Sequence, residues 1–364
     1  MIIGLDGNEA NVNSRVGSGV YAYELLKEFA KSKNHNFIVY LKEKPLNDLP
    51  KQTANFKYRV FGPKKLWTQL ALPVNLLIGK KPDVFFSMGH YGPRFSKVPY
   101  TITIFDLSYL HFPELFKKSD LYQLTNWSAY SIRGAKHIFA ISRSTKDDIV
   151  KNYKVDPSKV TVTYMGYDNS RFKPQAKQKI DVVKKKYKLP EEYIIFIGTI
   201  QPRKNIEFLL EAFSKLGNQK LKLVIVGRKG WLFEQIFQKV KELQLASEVI
   251  FTGYVSNADL PALLSGAKLY VSPSLWEGFG IPTIEAQACG VPTVVSSVSS
   301  LPEVVGESSI LINPKSVESI SQGMIKVIRD NSLETRLIQD GFQNARRFSW
   351  EKCAQQTLSV LEKL

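Results

Sequence analysis

The stretch Ser274-Leu-Trp-Glu-Gly-Phe-Gly-Ile-Pro-Thr-Ile-Glu-Ala286 follows an apolar run, Leu269–Ser272, and its reading decides the fold. The run predicts a buried strand, the loop holds Glu277, Gly278, Phe279 and Gly280, and Pro282 stands where a helix would begin. Proline is tolerated in a first helical turn because its missing N–H would be unpaired there anyway. The two glycines let backbone approach a ligand closely, and the free N–H groups of a helix start carry partial positive charge. A phosphate fits such a place. Glu285 falls about one turn inside the helix, so two carboxylates enter one pocket at different heights. That separation suits gripping two parts of a long ligand. It suits glycoside hydrolysis less, because that chemistry needs two carboxyls about 5 to 9.5 Å apart across one bond. An ordinary strand-loop-helix with two surface acids has the same Glu spacing, and the Gly-Phe-Gly-Ile-Pro between them is what argues for a site.

Outward from this segment the chain alternates short apolar runs with longer helical ones. In the second half the runs are Ile194–Gly198, Leu221–Gly227, Val249–Gly253, Lys268–Ser272, Thr293–Ser296 and Ile310–Ile312. In the first half they are Ile2–Asp6, Phe37–Leu41, Phe56–Phe61, Val84–Ser87, Tyr100–Phe105, His137–Ile141 and Val160–Tyr164. Such alternation predicts parallel sheets covered on both faces. With 364 residues the chain is long enough for two domains. The predicted division is 1–170 as an N-terminal Rossmann-like domain, 171–189 as a basic linker, 190–345 as a second Rossmann-like domain, and 346–364 as a C-terminal helix. That helix places Trp350, Ala354, Leu358 and Leu361 on one face, either to pack back on the first domain or to join the nearer core.

Ile206, Leu209, Leu210, Phe213 and Leu216 recur at helical spacing directly after Gln201-Pro-Arg-Lys-Asn205, which sets Arg203 and Lys204 at a strand-to-helix loop. Ligands of open α/β sheets bind at that carboxyl edge, and two fixed cations there can neutralise a diphosphate. In the first half, Gly17-Ser18-Gly19 precedes a helix carrying Tyr21, Leu25 and Phe29 at helical spacing. Alone it reads as a flexible turn, and it lacks the third glycine of a dinucleotide fingerprint. Ser142 or Ser144 is placed to cap the helix that follows the sixth run, with a role in binding left open.

The formal net charge is +17, and its distribution is uneven. Residues 1–170 hold 24 basic and 14 acidic side chains, 171–189 hold 8 and 1, and 190–364 hold 18 and 18. Within 42–97 the balance is 11 to 3. A cationic surface of this kind attracts anionic membranes, nucleic acids or acidic substrates. Lys64-Lys65-Leu-Trp67 leads into Leu70, Leu72, Val74, Leu76, Leu77 and Ile78, and Lys80-Lys81 follow. This pattern fits either a membrane interface, with Trp67 at headgroup depth, or core-facing helices joined at Pro73. No base-reading motif accompanies the charge, so no specific nucleic acid is expected. The longest apolar run, Leu66–Ile78, is too short to span a bilayer, and Met1–Asp6 enters a strand without a basic leader, which predicts a cytoplasmic protein. Cys289 and Cys353 sit among apolar neighbours and read as reduced core residues. His35, His90, His111 and His137 lack ligand spacing, so no metal site is expected.

The segment Glu277-Gly-Phe-Gly-Ile-Pro-Thr-Ile-Glu-Ala286 resembles the signature of the family 4 retaining glycosyltransferases of GT-B fold. The resemblance covers nearly the whole chain, is strongest over 194–305 and loosest over 42–98. It implies two Rossmann-like domains facing across an interdomain cleft, with the acceptor on the first and the nucleotide sugar on the second. By this resemblance Gly17, Ser18 and Gly19 lie beside the donor diphosphate. Lys204 matches the family's phosphate-binding lysine and Arg203 its neighbour, while Thr199 stands where some members carry a further arginine. Phe251-Thr-Gly-Tyr254 is similar to the segment that holds the base, mostly through backbone. The N–H groups around Gly280, Ile281, Pro282 and Thr283 would hold the diphosphate, Glu285 the ribose hydroxyls, and Glu277 the sugar hydroxyls.

One departure is plain. Many members carry a donor-contacting histidine where this chain has Phe105, and Asp106 and His111 are the nearest polar candidates to replace it. The implied reaction moves a hexose from a nucleotide diphosphate sugar without cofactor or metal. The Pro-Arg-Lys-Asn and Phe-Asp-Leu-Ser-Tyr-Leu segments look most like the mannosyltransferase branch. GDP-mannose is the expected donor and UDP-glucose the alternative. The acceptor is a glycan or lipid-linked precursor at the cytoplasmic membrane face, or a soluble sugar. A fold-retaining protein that binds a nucleotide sugar or glycan without turnover is the competing class.

Overall fold

A computed structural model describes residues 1–78, 81–217 and 220–364. Lys80, which belongs to the basic pair noted above, lies outside the described residues. The chain divides into two compact units, one formed by Met1–Gly166 with Trp350–Leu364 and the other by Tyr167–Ser349.

In the first unit seven strands form a single sheet: β1 (Ile2–Asp6), β2 (Asn36–Leu41), β3 (Phe56–Val60), β4 (Val84–Ser87), β5 (Tyr100–Ile104), β6 (His137–Ala140) and β7 (Val160–Val162). Their order is β3-β2-β1-β4-β5-β6-β7, with parallel neighbours throughout. The strands are short and apolar because helices cover both faces, and β4, β5 and β6 are buried along their whole length. The strand order reverses at β1 and β4, so the loops leaving their carboxyl ends diverge and open a crevice. The C-terminal helix Trp350–Leu361 belongs to this unit and packs on the helix Ser18–Lys31, where Tyr21 meets the Trp350 ring edge-on at 6.2 Å.

The second unit repeats the plan with β8 (Tyr193–Ile197), β9 (Lys222–Val226), β10 (Val249–Gly253), β11 (Leu269–Ser272), β12 (Thr293–Ser296) and β13 (Ile310–Ile312). The order β10-β9-β8-β11-β12-β13, again parallel, puts the reversal between β8 and β11. Its core joins Ile194, Phe196, Leu209, Phe213, Leu223 and Val271 with the helical residues Ile320 and Met324.

One stretch differs from expectation, and another takes the core-facing one of its two readings. Residues 171–189 are not an open linker but carry the helix Lys177–Lys186 within the second unit. Val183 is buried and Tyr187 donates to Asp259 at 2.9 Å, while Lys177, Lys179, Lys185 and Lys186 are exposed. Trp67 is buried rather than lying at a membrane interface. Its Nε1 donates to the Phe61 carbonyl at 3.0 Å and its ring stacks on Phe61 at 5.0 Å. Among the described residues no helix is long and apolar enough to cross a membrane.

Candidate functional site

The reversal between β8 and β11 fixes the second unit's site. The chain leaving β8 passes Gly198 and Thr199 into a tight turn, Pro202–Lys204, and Asn205 adopts a left-handed conformation (φ 57°) before the helix Ile206–Ser214. Asn205 Nδ2 donates to the carbonyls of Pro273 at 3.0 Å and Pro314 at 2.7 Å, fastening this turn to the loop that leaves β11. The Leu275 N–H donates to the Arg203 carbonyl at 2.9 Å, a second tie between the two loops.

These ties bring Arg203, Lys204 and Glu277 together. Lys204 Nζ donates to Glu277 Oε1 at 2.5 Å, and Ser274 Oγ donates to the same oxygen at 2.7 Å. Arg203 Nη1 donates to the Trp276 carbonyl at 2.5 Å and lies 3.8 Å from Glu277 Oε2. The Glu277 carbonyl accepts from the Ser299 and Ser300 hydroxyls. The three charged side chains are only 12 to 15% exposed. Burial alone would push the Glu277 carboxyl up, but Lys204 and Arg203, with the Ser274 hydrogen bond, outweigh it and hold the group below the usual glutamate range. The cluster therefore keeps a net positive charge in a partly dehydrated place, which suits an anion. Arg203 Nε is buried without a partner among the described residues.

Beyond Glu277, Gly280 takes φ 94° as the helix Ile281–Ala288 begins, with Pro282 in the first turn. A Cβ on Gly280 would also come within 2.7 Å of Leu301 Cδ2, so only glycine fits. Gly278, Phe279 and Thr283 are buried, and the Phe279 ring is edge-on to Phe348 at 5.4 Å. The Phe279 side chain thus anchors the loop from below. Glu285 is half-buried one turn along, and its carboxyl makes no hydrogen bond among the described residues. Burial pushes its carboxyl up to about 7; the Arg171 guanidinium opposes the rise and the Asp168 charge adds to it.

At the far side of the same edge, Phe251 stacks on Phe237 at 4.5 Å and its side chain serves the core. Tyr254 is exposed, and Arg228, from the loop after β9, lies over its ring at 4.5 Å. Arg228 was not singled out from sequence. Thr199 is exposed beside Gly230.

In the first unit Gly17 has φ 48° at the start of Ser18–Lys31, and Ser18 Oγ donates to Glu9 at 2.7 Å. A Cβ on Gly19 would stand 3.0 Å from the Glu9 carbonyl. Asp106 Oδ1 accepts from the Ser108 N–H at 2.8 Å and hydroxyl at 2.5 Å, a turn-stabilising role. His111 Nε2 lies 3.1 Å from Asp148. The histidine that reaches Phe105 is His90, in the loop after β4. The Phe105 N–H donates to His90 Nε2 at 3.1 Å and the two rings stack 5.7 Å apart, 8° from parallel. Because Nε2 accepts, the neutral ring carries its proton on Nδ1, which is buried without a partner among the described residues. Burial lowers the His90 pKa against the pull of Asp106 and Glu9, so the ring is neutral at neutral pH. The sequence offered no local signal for His90, because its meeting with Phe105 follows from β4 pairing with β5.

Among the described residues no cluster of His, Cys, Asp and Glu could hold a metal ion. Both cysteines are free and buried.

Known proteins resemble the chain along its length. Residues 16–171 match the family model described as Glycosyltransferase Family 4, and residues 177–344 match Glycosyl transferases group 1. The O-antigen chain mannosyltransferase B of Escherichia coli is 32% identical over 283 residues, covering 76% of this chain and 74% of that protein. The serotype-specific mannosyltransferase WbdA of Escherichia coli is 33% identical over 226 residues, 60% of this chain, which spans only 28% of that longer protein. Among solved structures, a sucrose-phosphate synthase from Thermosynechococcus elongatus superposes with a TM-score of 0.78 at 18% identity, covering 100% of this chain and 98% of that one.

Proposed function

From the premise that this chain belongs to the family 4 glycosyltransferases, we propose that it moves mannose from GDP-mannose to a glycan or lipid-linked acceptor, with retention of anomeric configuration. The fastened Arg203–Lys204–Glu277 cluster at the strand-order reversal, facing the helix start at Gly280, is the observation that carries this reading. Mannose is favoured because a relative matched over about three quarters of both chains is named a mannosyltransferase.

In the proposed step the acceptor hydroxyl oxygen bonds to the sugar C1 as the bond from C1 to the diphosphate oxygen breaks. The bonding electrons leave with the diphosphate, and its oxygen takes the acceptor proton on the same face of the sugar. No protein nucleophile is required. Charge builds on the leaving diphosphate, and Lys204, Arg203 and the N–H groups of the Gly280–Thr283 turn would stabilise it. These fixed cations supply what a divalent ion would, so the reaction is proposed to need neither metal nor cofactor. Glu277 orients both cations, and its Oε2, only loosely engaged by Arg203, would accept a sugar hydroxyl. Glu285, ionised on binding, would accept the ribose hydroxyls. Tyr254 with Arg228 offers a flat cationic surface beside the base. In the first unit, Gly17, Ser18 and Gly19 would bear on the donor, and His90, in place of the absent histidine at 105, would donate from Nδ1.

A second reading keeps the donor site but gives it UDP-glucose and a soluble acceptor. A third, favoured only by Phe105, is nucleotide-sugar binding without turnover. Thermal stabilisation by GDP-mannose, UDP-glucose and their nucleoside diphosphates, repeated on Lys204→Ala and Glu285→Ala, separates these. A shift selective for GDP-mannose that both substitutions abolish supports the proposal. A UDP-glucose shift replaces the donor, and binding without transfer to any acceptor supports the third reading.

A further inference from the structure

Between β5 and β6 the first unit carries the helix Lys118–Gly134. Ile132 belongs to the core of that unit, and Leu121 and Leu124 pack against it. Gln123, Asn126, Trp127 and Tyr130 recur at helical spacing on one face, the two amides exposed and the two rings half-buried. The loop after β4 lies on this face. Tyr91 meets Trp127 edge-on at 5.7 Å, and the Arg94 guanidinium stands 4.8 Å over the Tyr130 ring. The Phe95 N–H donates to the Tyr130 hydroxyl at 3.2 Å and its ring lies 6.4 Å from Tyr130. Two hydrogen bonds pin the loop: Gly92 N–H to Ser131 Oγ at 2.9 Å, and Ser87 Oγ to the Tyr91 carbonyl at 2.6 Å. Phe95 is left with φ 53° and its ring 83% exposed. A bulky residue keeps that backbone only where its surroundings dictate it, and a large ring held in water is characteristic of a binding surface.

Position and chemistry say what it binds. Tyr91 directly follows His90, their rings are 6.4 Å apart, and His90 stacks on Phe105. The ledge of rings therefore starts at the residue proposed to meet the donor and leads away from it. From Gln123 to Tyr130 the helix rises about 10 Å, room for more than one sugar ring. From Ser119 to Ile132 the helix has no lysine or arginine and one acid, Asp120, so it offers little to a polyanion. A hexose has a flat C–H face and a rim of hydroxyls. Its C–H groups suit the negative faces of aromatic rings, and its hydroxyls suit exposed amides and carboxylates. The charges of Glu9 and Asp120 act on the Tyr91 hydroxyl, which places two such acceptors near that end of the ledge. Because the rings are already braced by the loop, little ordering remains to oppose binding.

We propose that Tyr91, Trp127, Tyr130 and Phe95, with the Gln123 and Asn126 amides beside them, form a saccharide subsite that grips units of the acceptor glycan beyond the one that reacts. The proposal deepens the reading of a glycan acceptor and rests on it, but saccharide binding and donor binding are measured separately. The full chain, without donor, is titrated calorimetrically with α-linked manno-oligosaccharides and with malto-oligosaccharides of one to five units, alongside Phe95→Ala and Trp127→Ala. Wild type is expected to bind one series more tightly as the chain lengthens, and each variant to lose about fivefold in affinity for its pentasaccharide, the scale of one ring contact. The Phe95 ring lies in solvent, so Phe95→Ala should keep the wild-type melting temperature and its loss of affinity is not a loss of fold. Affinity that does not grow with chain length in either series, or variants that bind as wild type does, overturns the proposal. So does a wild-type dimer in light scattering that Phe95→Ala makes monomeric, because the ledge then belongs to a second copy. Donor-induced stabilisation measured on the same samples keeps the two readings apart. Saccharide binding without it leaves the ledge standing and removes the transferase reading, and the reverse removes the ledge alone.

Discussion

Lys204 donates to Glu277 Oε1 at 2.5 Å, so the cation proposed to meet the diphosphate is already fastened by a carboxylate. Removing one partner strands the other in a partly dehydrated place. Lys204→Ala is expected to cost about 2 kcal/mol of stability, less than the full cost of an unpaired buried charge because Arg203 remains near Glu277. Transfer should fall on the order of 100-fold or more, the scale seen when a group stabilising transition-state charge is lost. Lys204→Met combined with Glu277→Gln should regain most of the stability and none of the activity. Urea unfolding beside initial rates checks both halves; a double variant no more stable than Lys204→Ala would mean the pair is not the unit described.

Glu285 titrates at about 7 because it is buried, against 4.5 for an unperturbed glutamate. Between those values the folded protein holds a proton that the unfolded chain has released. Stability from this group is therefore full below pH 4.5 and lost as pH rises through 7, a loss of about 3 kcal/mol at most. Ligand binding should run the other way, since ribose hydroxyls need the ionised acceptor. Nucleoside diphosphate affinity is expected to strengthen from pH 6 to pH 8, with Glu285→Gln flattening both trends. Calorimetric titration at several pH values reads it directly; a wild-type affinity flat across that window would remove Glu285 from the ribose role.

His90 stacks on Phe105 and offers a buried Nδ1–H without a partner among the described residues. His90→Ala removes the acceptor of the Phe105 N–H and should cost about 1 to 3 kcal/mol. If Nδ1 meets a ligand, transfer should fall further than that destabilisation accounts for at low temperature. Burial holds the ring neutral, so the acid limb of the rate profile should lie below the usual histidine range and disappear in His90→Gln. An unchanged profile would leave His90 as a support for Phe105 only.

Strand positions were legible because each is a short apolar run ending where a sheet meets its loops, and β1, β4, β10, β12 and β13 fall where the sequence places them. Arg203, Lys204 and Glu277 were legible as loop residues at strand ends. Their mutual pairing was not, because it depends on β8 and β11 being neighbours, a fact of strand order that no local spacing carries. The same reason hid His90, which meets Phe105 only because β4 pairs with β5. Phe251 and Phe279 read as site residues from their motifs, yet their rings went to Phe237 and Phe348, as large apolar side chains beside a core do. Lysine-rich 171–189 looked like a linker because its outer face dominates the composition, while one buried position, Val183, helps seat it as a helix.

The glycines of the two units test whether the loops of the candidate site are held by contact or by conformation. A Cβ on Gly227 would stand 1.9 Å from the Gly198 carbonyl oxygen, and the Gly227 N–H already donates to Gly253 at 3.0 Å. The loops after β8 and β9 touch backbone to backbone there, so neither can yield without moving the turn that carries Arg203 and Lys204. Gly227→Ala should cost about 3 kcal/mol or more and weaken nucleotide binding with it. Gly17 is different: its φ is 48°, but a Cβ there would meet nothing within 4 Å. Gly17→Ala should cost about 2 kcal/mol, the strain of a side chain at φ 48° and ψ −109°. Its effect should appear in transfer instead, because the loop it starts would no longer hold Ser18 against Glu9. Denaturant unfolding of both variants, with nucleotide affinity for each, decides the matter. A Gly17→Ala protein less stable than Gly227→Ala would mean that backbone conformation, not the contact of the two loops, holds the site.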